Sequence, residues 1–302
     1  MPPWIAATLA AAFLQNLRFM AQRHLRRTSL STAGATFARF LWGAPLAALF
    51  AAGLIAGRGD ALPGMGAGFW GWALAGGLTQ ILATMCVVAL FAGRNFAVGI
   101  ALNKTETLQT ALIAWLLLGE GVGPAALAAI IAGFLGVLLL SEPPEAGSTA
   151  SLRGAVLGRS TLLGLAAGAL FGVCSTCYRG AILSLDGGDA LLRAAVTLSA
   201  VTAAQALALG LWLAWREPGQ LGAVLRAGRA VAAAGTAGIA ASLCWFTAFA
   251  LQSPAYVKAL GQVELLFSLA ASALIFRERS TRRELAGAAL IGASVIGIVL
   301  AA

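Results

Sequence analysis

The chain's 302 residues are 60% hydrophobic and 10% charged, with a mean hydropathy of +0.89, values that exclude an ordinary soluble domain. The net charge of +9 does not mark a nucleic-acid binder, because most basic residues stand in short turns between apolar runs, where anionic lipid and membrane orientation account for them. At about 20 residues per span plus turns, this length accommodates about ten transmembrane helices, which makes the expected fold an all-α integral membrane protein.

Taken in chain order, the first span covers Trp4–Gln22. It lacks a small-residue cleavage site, so it reads as a helix of the mature protein rather than a signal peptide. Its Gln15, Asn16 and Arg18 are costly at membrane depth unless they face a polar interior. A basic turn with Arg23, His24, Arg26 and Arg27 leads to span two, Gly34–Ala56, which carries Arg39 near its start. A Gly- and Pro-rich loop separates it from span three, Phe69–Ala92, with Gln80 and Thr84. Span four is Phe96–Leu118 and span five Ala125–Ser141. The segment 142–160 is the one long polar stretch and reads as a linker. Span six, Thr161–Leu183, contains Tyr178 and Arg179, and span seven, Ala190–Trp215, has Arg193 near its start. A basic loop around Arg216, Arg226 and Arg229 precedes span eight, Val231–Leu251, and spans nine and ten complete the chain from Pro254.

The second half repeats the first. Glu264 falls on Glu106 and Glu278 on Glu120 at one offset, 158 residues (264 − 106 and 278 − 120). Phe171, Cys244 and Phe249 fall on Phe13, Cys86 and Phe91 at the same offset. In each copy an apolar helix with a carboxylate near its middle is followed by a charged turn holding a second carboxylate, then by a Gly- and Ala-rich helix. Residues 1–141 and 161–302 thus read as two five-helix repeats. Five is odd, so the second repeat enters the membrane from the opposite side. Inverted repeats are a common plan of secondary transporters, whose substrate site lies between two repeats that exchange inward- and outward-open shapes.

The paired segments LLLGEGVGPAALAAIIAGFLGVLLL and ALIFRERSTRRELAGAALIGASVIGIVL resemble the ten-helix EamA-type members of the drug/metabolite transporter superfamily, over essentially the whole chain. That resemblance implies export of amino acids, other metabolites or drugs. Glu106 and Glu264 depart from the family's commoner form, which lacks midhelix carboxylates. The expected protein is therefore a multi-pass inner-membrane carrier of small, possibly zwitterionic, metabolites, with multidrug or cationic-compound efflux as the alternative.

The residues expected to line the substrate path are Asn16, Arg18, Gln80, Asn103, Lys104, Glu106, Tyr178, Trp245, Lys258, Gln262 and Glu264. In span four Asn103, Glu106 and Thr110 share one helix face, as Gly261, Glu264 and Ser268 do in span nine. Ionisable groups within a span point to function, such as substrate binding or proton coupling; the plainer alternative is that each carboxylate is a structural ion-pair partner of Lys104 or Lys258. Lys104 cannot face the same way as Glu106, two residues on, so pairing between the repeats is the more plausible arrangement. Two carboxylates and two ammoniums carry little net charge together, which suits a zwitterion better than a lipophilic cation. Arg39, Arg179, Arg193, Glu120 and Glu278 are candidate gates, through salt bridges that alternate between the membrane faces, or else permanent interface anchors.

Cys86, Cys174, Cys177 and Cys244 read as small side chains at helix contacts, and Gly34, Gly76, Gly168, Gly172, Gly287 and Gly292 as close-packing positions. A single histidine does not supply the metal clusters that membrane enzymes commonly use, and no cofactor, metal or nucleic acid is expected. The expected partners are a small-molecule substrate and the lipid bilayer, with the chain a monomer or weak homodimer. Arginines crowd the loops after odd-numbered spans and only Arg58 follows an even one, which places both termini outside, whereas the resemblance implies cytoplasmic termini.

Overall fold

A computed structural model describes residues 1–25, 30–91, 102–140, 158–226, 228–275 and 281–302. Among the described residues the chain is all-helical, with one isolated bridge pairing Gly64 and Asp186. The helices are α1 (Pro3–Leu25), α2 (Thr32–Arg58), α3 (Ala67–Phe91), α4 (Glu106–Leu118), α5 (Pro124–Leu140), α6 (Arg159–Leu183), α7 (Ala190–Arg216), α8 (Pro218–Arg226), α9 (Gly228–Leu251), α10 (Pro254–Gly261), α11 (Val263–Ile275) and α12 (Arg282–Ala301). Much of the linker, the turn after α3 and Glu278 lie outside the described residues.

Helix ends follow local chemistry. Ser31 caps α2 by accepting from the Gly34 amide, and Gly59, at φ 70°, ends it in the left-handed conformation that costs glycine little. Asp189 caps α7 through the Leu192 amide. Thr281 and Glu284 form a reciprocal capping box on α12. Gly119, at φ 69°, closes α4.

Among the described residues five helices are long and apolar enough to cross a membrane: α2, α3, α6, α7 and α12. The apolar stretches of α2, α3 and α12 are only 22% buried, against 50% for α6 and α7. Their exposed side chains include Leu49, Leu78 and Leu300, wide apolar outer faces of the kind that a bilayer covers. The structure thus has the composition and helix lengths of a membrane protein.

The chain forms two compact units, 1–81 with 177–252 and 82–176 with 253–302. Neither coincides with a sequence half, since each takes helices from both. In the first, α1 packs on α9 and α2 on α7, with α9 also against α2 and α7. In the second, α5 packs along α12 and α4 against α10. There Gly136 and Gly287 bring two backbones together: a β-carbon at either would lie within 2.8 Å of the other's carbonyl oxygen. Gly34, Gly76, Gly168 and Gly172 are likewise closely covered, but Gly292 faces open space, which corrects its reading as a packing position.

Candidate functional site

The second unit corrects the picture of carboxylates in mid-helix. Span nine is two helices, α10 and α11, interrupted at Gln262, whose amide donates to Ala259 O, while the Leu265 amide donates to Gln262 O. Residues 102–103 are helical, Lys104 and Thr105 form a turn, and the Thr105 amide donates to Leu102 O before α4 begins. These are i to i−3 bonds, the tighter winding that often marks a hinge within a longer helix. Lys104 corresponds to Gln262 under the internal repeat, so both halves tighten at matched positions. Glu106 and Glu264 each stand in the first turn of the helix that follows, where the positive end of the helix dipole favours a carboxylate.

Lys258 stands in the last turn of α10, at the negative end of that helix. Its Nζ lies 2.6 Å from Glu106 Oε1, with side-chain exposures of 22% and 19%. The pair joins the two sequence halves, and the Glu264 carboxylate acts on the same ammonium through its charge. Gln262 Nε2 donates to Thr107 Oγ1 at 3.0 Å, next to Glu106. Thr110 Oγ1 donates back to Glu106 O, and Gln109 Nε2 to Thr105 Oγ1, so the start of α4 is held by its own side chains. Gly168 and Gly172 of α6 let that helix lie on the same segment: a β-carbon at Gly168 would be 3.2 Å from the Glu106 amide nitrogen. Asn103 Oδ1 and Gln262 Oε1 are buried without a hydrogen-bond partner among the described residues. Lys104 is half-buried in its turn.

The first unit holds an uncharged network. Tyr178 OH donates to Gln80 Oε1 at 2.9 Å, and Gln205 Nε2 donates to the same oxygen at 2.8 Å and to Gly77 O at 3.0 Å. The Tyr178 ring packs on Phe246, 4.5 Å between centroids. Beside this network Arg39 Nη2 donates to Ser242 Oγ at 3.3 Å, with the guanidinium 5.5 Å from the Phe40 ring centre. Arg39, Gln80, Gln205 and Ser242 line a cavity of about 10 Å³, room for about one water. Gln205 Oε1 is buried there without a hydrogen-bond partner among the described residues. Trp245 Nε1 donates to Gln15 Oε1 at 3.2 Å, and Asn16 is buried on α1.

The other expected residues are placed as follows. Arg179 Nη1 donates to Phe249 O at 2.6 Å, and Arg193 Nε to Gly188 O at 3.1 Å. Glu120 is half-buried in the loop after α4. Glu278 and the side chain of Arg18 lie outside the described residues. The structure therefore brings Glu106, Lys258, Glu264 and Gln262 together in one unit, and Gln80 and Tyr178 together in the other. Gln205, Thr107 and Ser242 were missed. Gln205 had a usable signal as an amide amid the apolar run of α7, but its counterpart under the repeat is Ala47, so comparison of the halves passed over it.

No family model and no curated protein matches the chain. A solved structure described only as "Crystal structure of protein" is similar over 98% of this chain and 99% of its own, with a TM-score of 0.71 and 20% sequence identity. At that identity the likeness is one of fold.

Proposed function

We propose that this chain is a secondary transporter of small, amino-acid-like metabolites, built on ten spans in two inverted five-helix repeats and working by alternating access in the inner membrane. The observation that carries this reading is the pair of tightened turns at Lys104–Thr105 and Gln262, each followed by a carboxylate, with Lys258 on Glu106. Interrupted helices whose ends meet charged groups are the form that substrate and coupling-ion sites take in carriers. A half-buried ion pair is also costly to keep for stability alone, since apolar packing often serves a fold as well.

Contacts within the first unit fit this topology. The loop before α2 bonds to the α7–α8 junction, through Ser31 Oγ donating to Glu217 Oε2 at 2.6 Å. The loop before α3 meets the α6–α7 turn through the Gly64 and Asp186 bridge. In a ten-span chain the first pair of loops lies on one side of the membrane and the second on the other. Membership of the drug/metabolite transporter superfamily, as the sequence resemblance implies, belongs to the same proposal.

Efflux of lipophilic cations is the second reading, favoured by the two carboxylates; Lys258 on Glu106 weighs against it by cancelling one of the charges. A channel or a membrane enzyme has no observation in its favour. The test is counterflow in proteoliposomes loaded with amino acids. Saturable uptake of a labelled amino acid, stimulated by unlabelled amino acid inside, supports the carrier; uptake that neither saturates nor responds to the internal pool rejects it.

A further inference from the structure

The Glu106 carboxylate is occupied by a primary ammonium that belongs to the protein itself. Lys258 Nζ reaches it at 2.6 Å from a helix that ends three residues later, at Gly261. Two features make this contact exchangeable rather than fixed. Lysine is a point charge on a flexible four-carbon stem, without the fork that locks arginine onto a carboxylate. A second carboxylate, Glu264, stands in the first turn of the helix just beyond the Gln262 turn, within electrostatic reach of the same ammonium.

We propose that Lys258 is a tethered competitor: it holds the Glu106 site while the site is empty, and an incoming primary alkylammonium, such as the amino group of an amino acid, displaces it toward Glu264. The exchange puts one ammonium in place of another on Glu106; the displaced Lys258 stays in the site, so a bound monoammonium adds one positive charge that the Glu264 carboxylate balances, and neither carboxylate is left bare at membrane depth. It selects for primary ammonium, whose three N–H donors match those of the lysine it replaces, over quaternary cations that have none. The polar rim is in place, with Thr107 Oγ1 held by Gln262 Nε2 next to Glu106.

This deepens the transport reading by naming a ligand class, and it is read by binding alone. Absent counterflow leaves it standing, and absent binding leaves counterflow standing. Lys104 and Lys258 are the chain's two lysines, so protein carrying ¹³C at lysine Cε gives two signals, told apart with Lys104→Arg. Adding n-butylammonium to the detergent-solubilised protein should move the Lys258 signal saturably toward its position in Glu106→Gln. Tetramethylammonium and n-butanol should not move it. With the competitor removed, Lys258→Ala should bind n-butylammonium at about tenfold lower concentration, as expected when Lys258 otherwise leaves the site open about a tenth of the time. A Lys258 signal that ignores butylammonium, or that responds equally to butanol, overturns the proposal; the lysine spectrum decides it even if Lys258→Ala does not fold.

Discussion

Glu106 and Lys258, one from each half of the chain, meet at 2.6 Å with about a fifth of each side chain exposed. Removing either charge breaks this contact in a partly desolvated site. We expect Glu106→Gln and Lys258→Met each to lower stability by about 1–3 kcal/mol, less than for a fully buried pair because water still reaches both groups. The double variant should lose clearly less than the two single losses summed, with a coupling of about 0.5–3 kcal/mol. Thermal unfolding of the four proteins in detergent measures this, and additive losses would mean the pair contributes nothing as a pair.

Tyr178, Gln80 and Gln205 form a network in which Gln80 Oε1 accepts from both partners. Tyr178→Phe keeps the ring on Phe246 and removes one donor, with an expected cost of about 1 kcal/mol. Gln205→Leu takes the other donor and also leaves Gly77 O without it, at about 1–3 kcal/mol. A larger loss for Gln205→Leu than for Tyr178→Phe is the result to look for in unfolding midpoints.

The helices themselves were largely legible because bilayer-length apolar runs mark them plainly. Helix α6 spans Arg159–Leu183 where the pattern predicts Thr161–Leu183, and α7 spans Ala190–Arg216 where it predicts Ala190–Trp215. The turn at Gln262 was not legible, since the apolar run continues through it and hydropathy does not register a switch from i−4 to i−3 bonding. Helix α8 lay hidden in what reads as a basic loop. Pairing between the halves was expected at the carboxylates, with Lys104 or Lys258 as the partner and Lys104 set against Glu106 by its spacing; the fold puts Lys258 on Glu106. Gln205 showed in the sequence only as an amide amid the apolar run of α7, and its counterpart in the repeat, Ala47, gave it no polar match.

Glycine substitutions should split by surroundings. Gly76→Ala would set a β-carbon 2.7 Å from the Tyr178 ring, and Gly136→Ala one 2.8 Å from the Gly287 carbonyl oxygen. Each should cost about 1–3 kcal/mol or prevent folding. Gly292 meets open space within α12, so Gly292→Ala should stabilise by about 0.4–1 kcal/mol through reduced freedom of the unfolded chain. Loss of stability in Gly292→Ala would contradict the packing described here.

The Leu192 amide, which donates to Asp189, and to a lesser degree Arg58 at 2.8 Å, hold the Asp189 carboxyl below its ordinary value. A lowered value means the contribution is fully present above the unfolded pKa of about 3.9 and is lost as pH falls through the lower folded one. The side chains are 41% and 57% exposed, so the effect is well under about 1 kcal/mol. Asp189→Asn should unfold slightly earlier than wild type at pH 7, and the gap should narrow below about pH 4.

The proposed transport function assigns ion coupling to Glu106 and Glu264. The direct measurement is amino-acid counterflow, with and without a pH gradient, in liposomes holding wild type, Glu106→Gln or Glu264→Gln, each checked for folding before reconstitution. The amide keeps the shape of the carboxylate and one acceptor oxygen but cannot ionise. Wild type should show saturable, gradient-sensitive exchange, and both variants should lose it. Full gradient-dependent exchange by both glutamine variants would contradict it and leave the two carboxylates as helix-start charges that hold α4 and α11 in place.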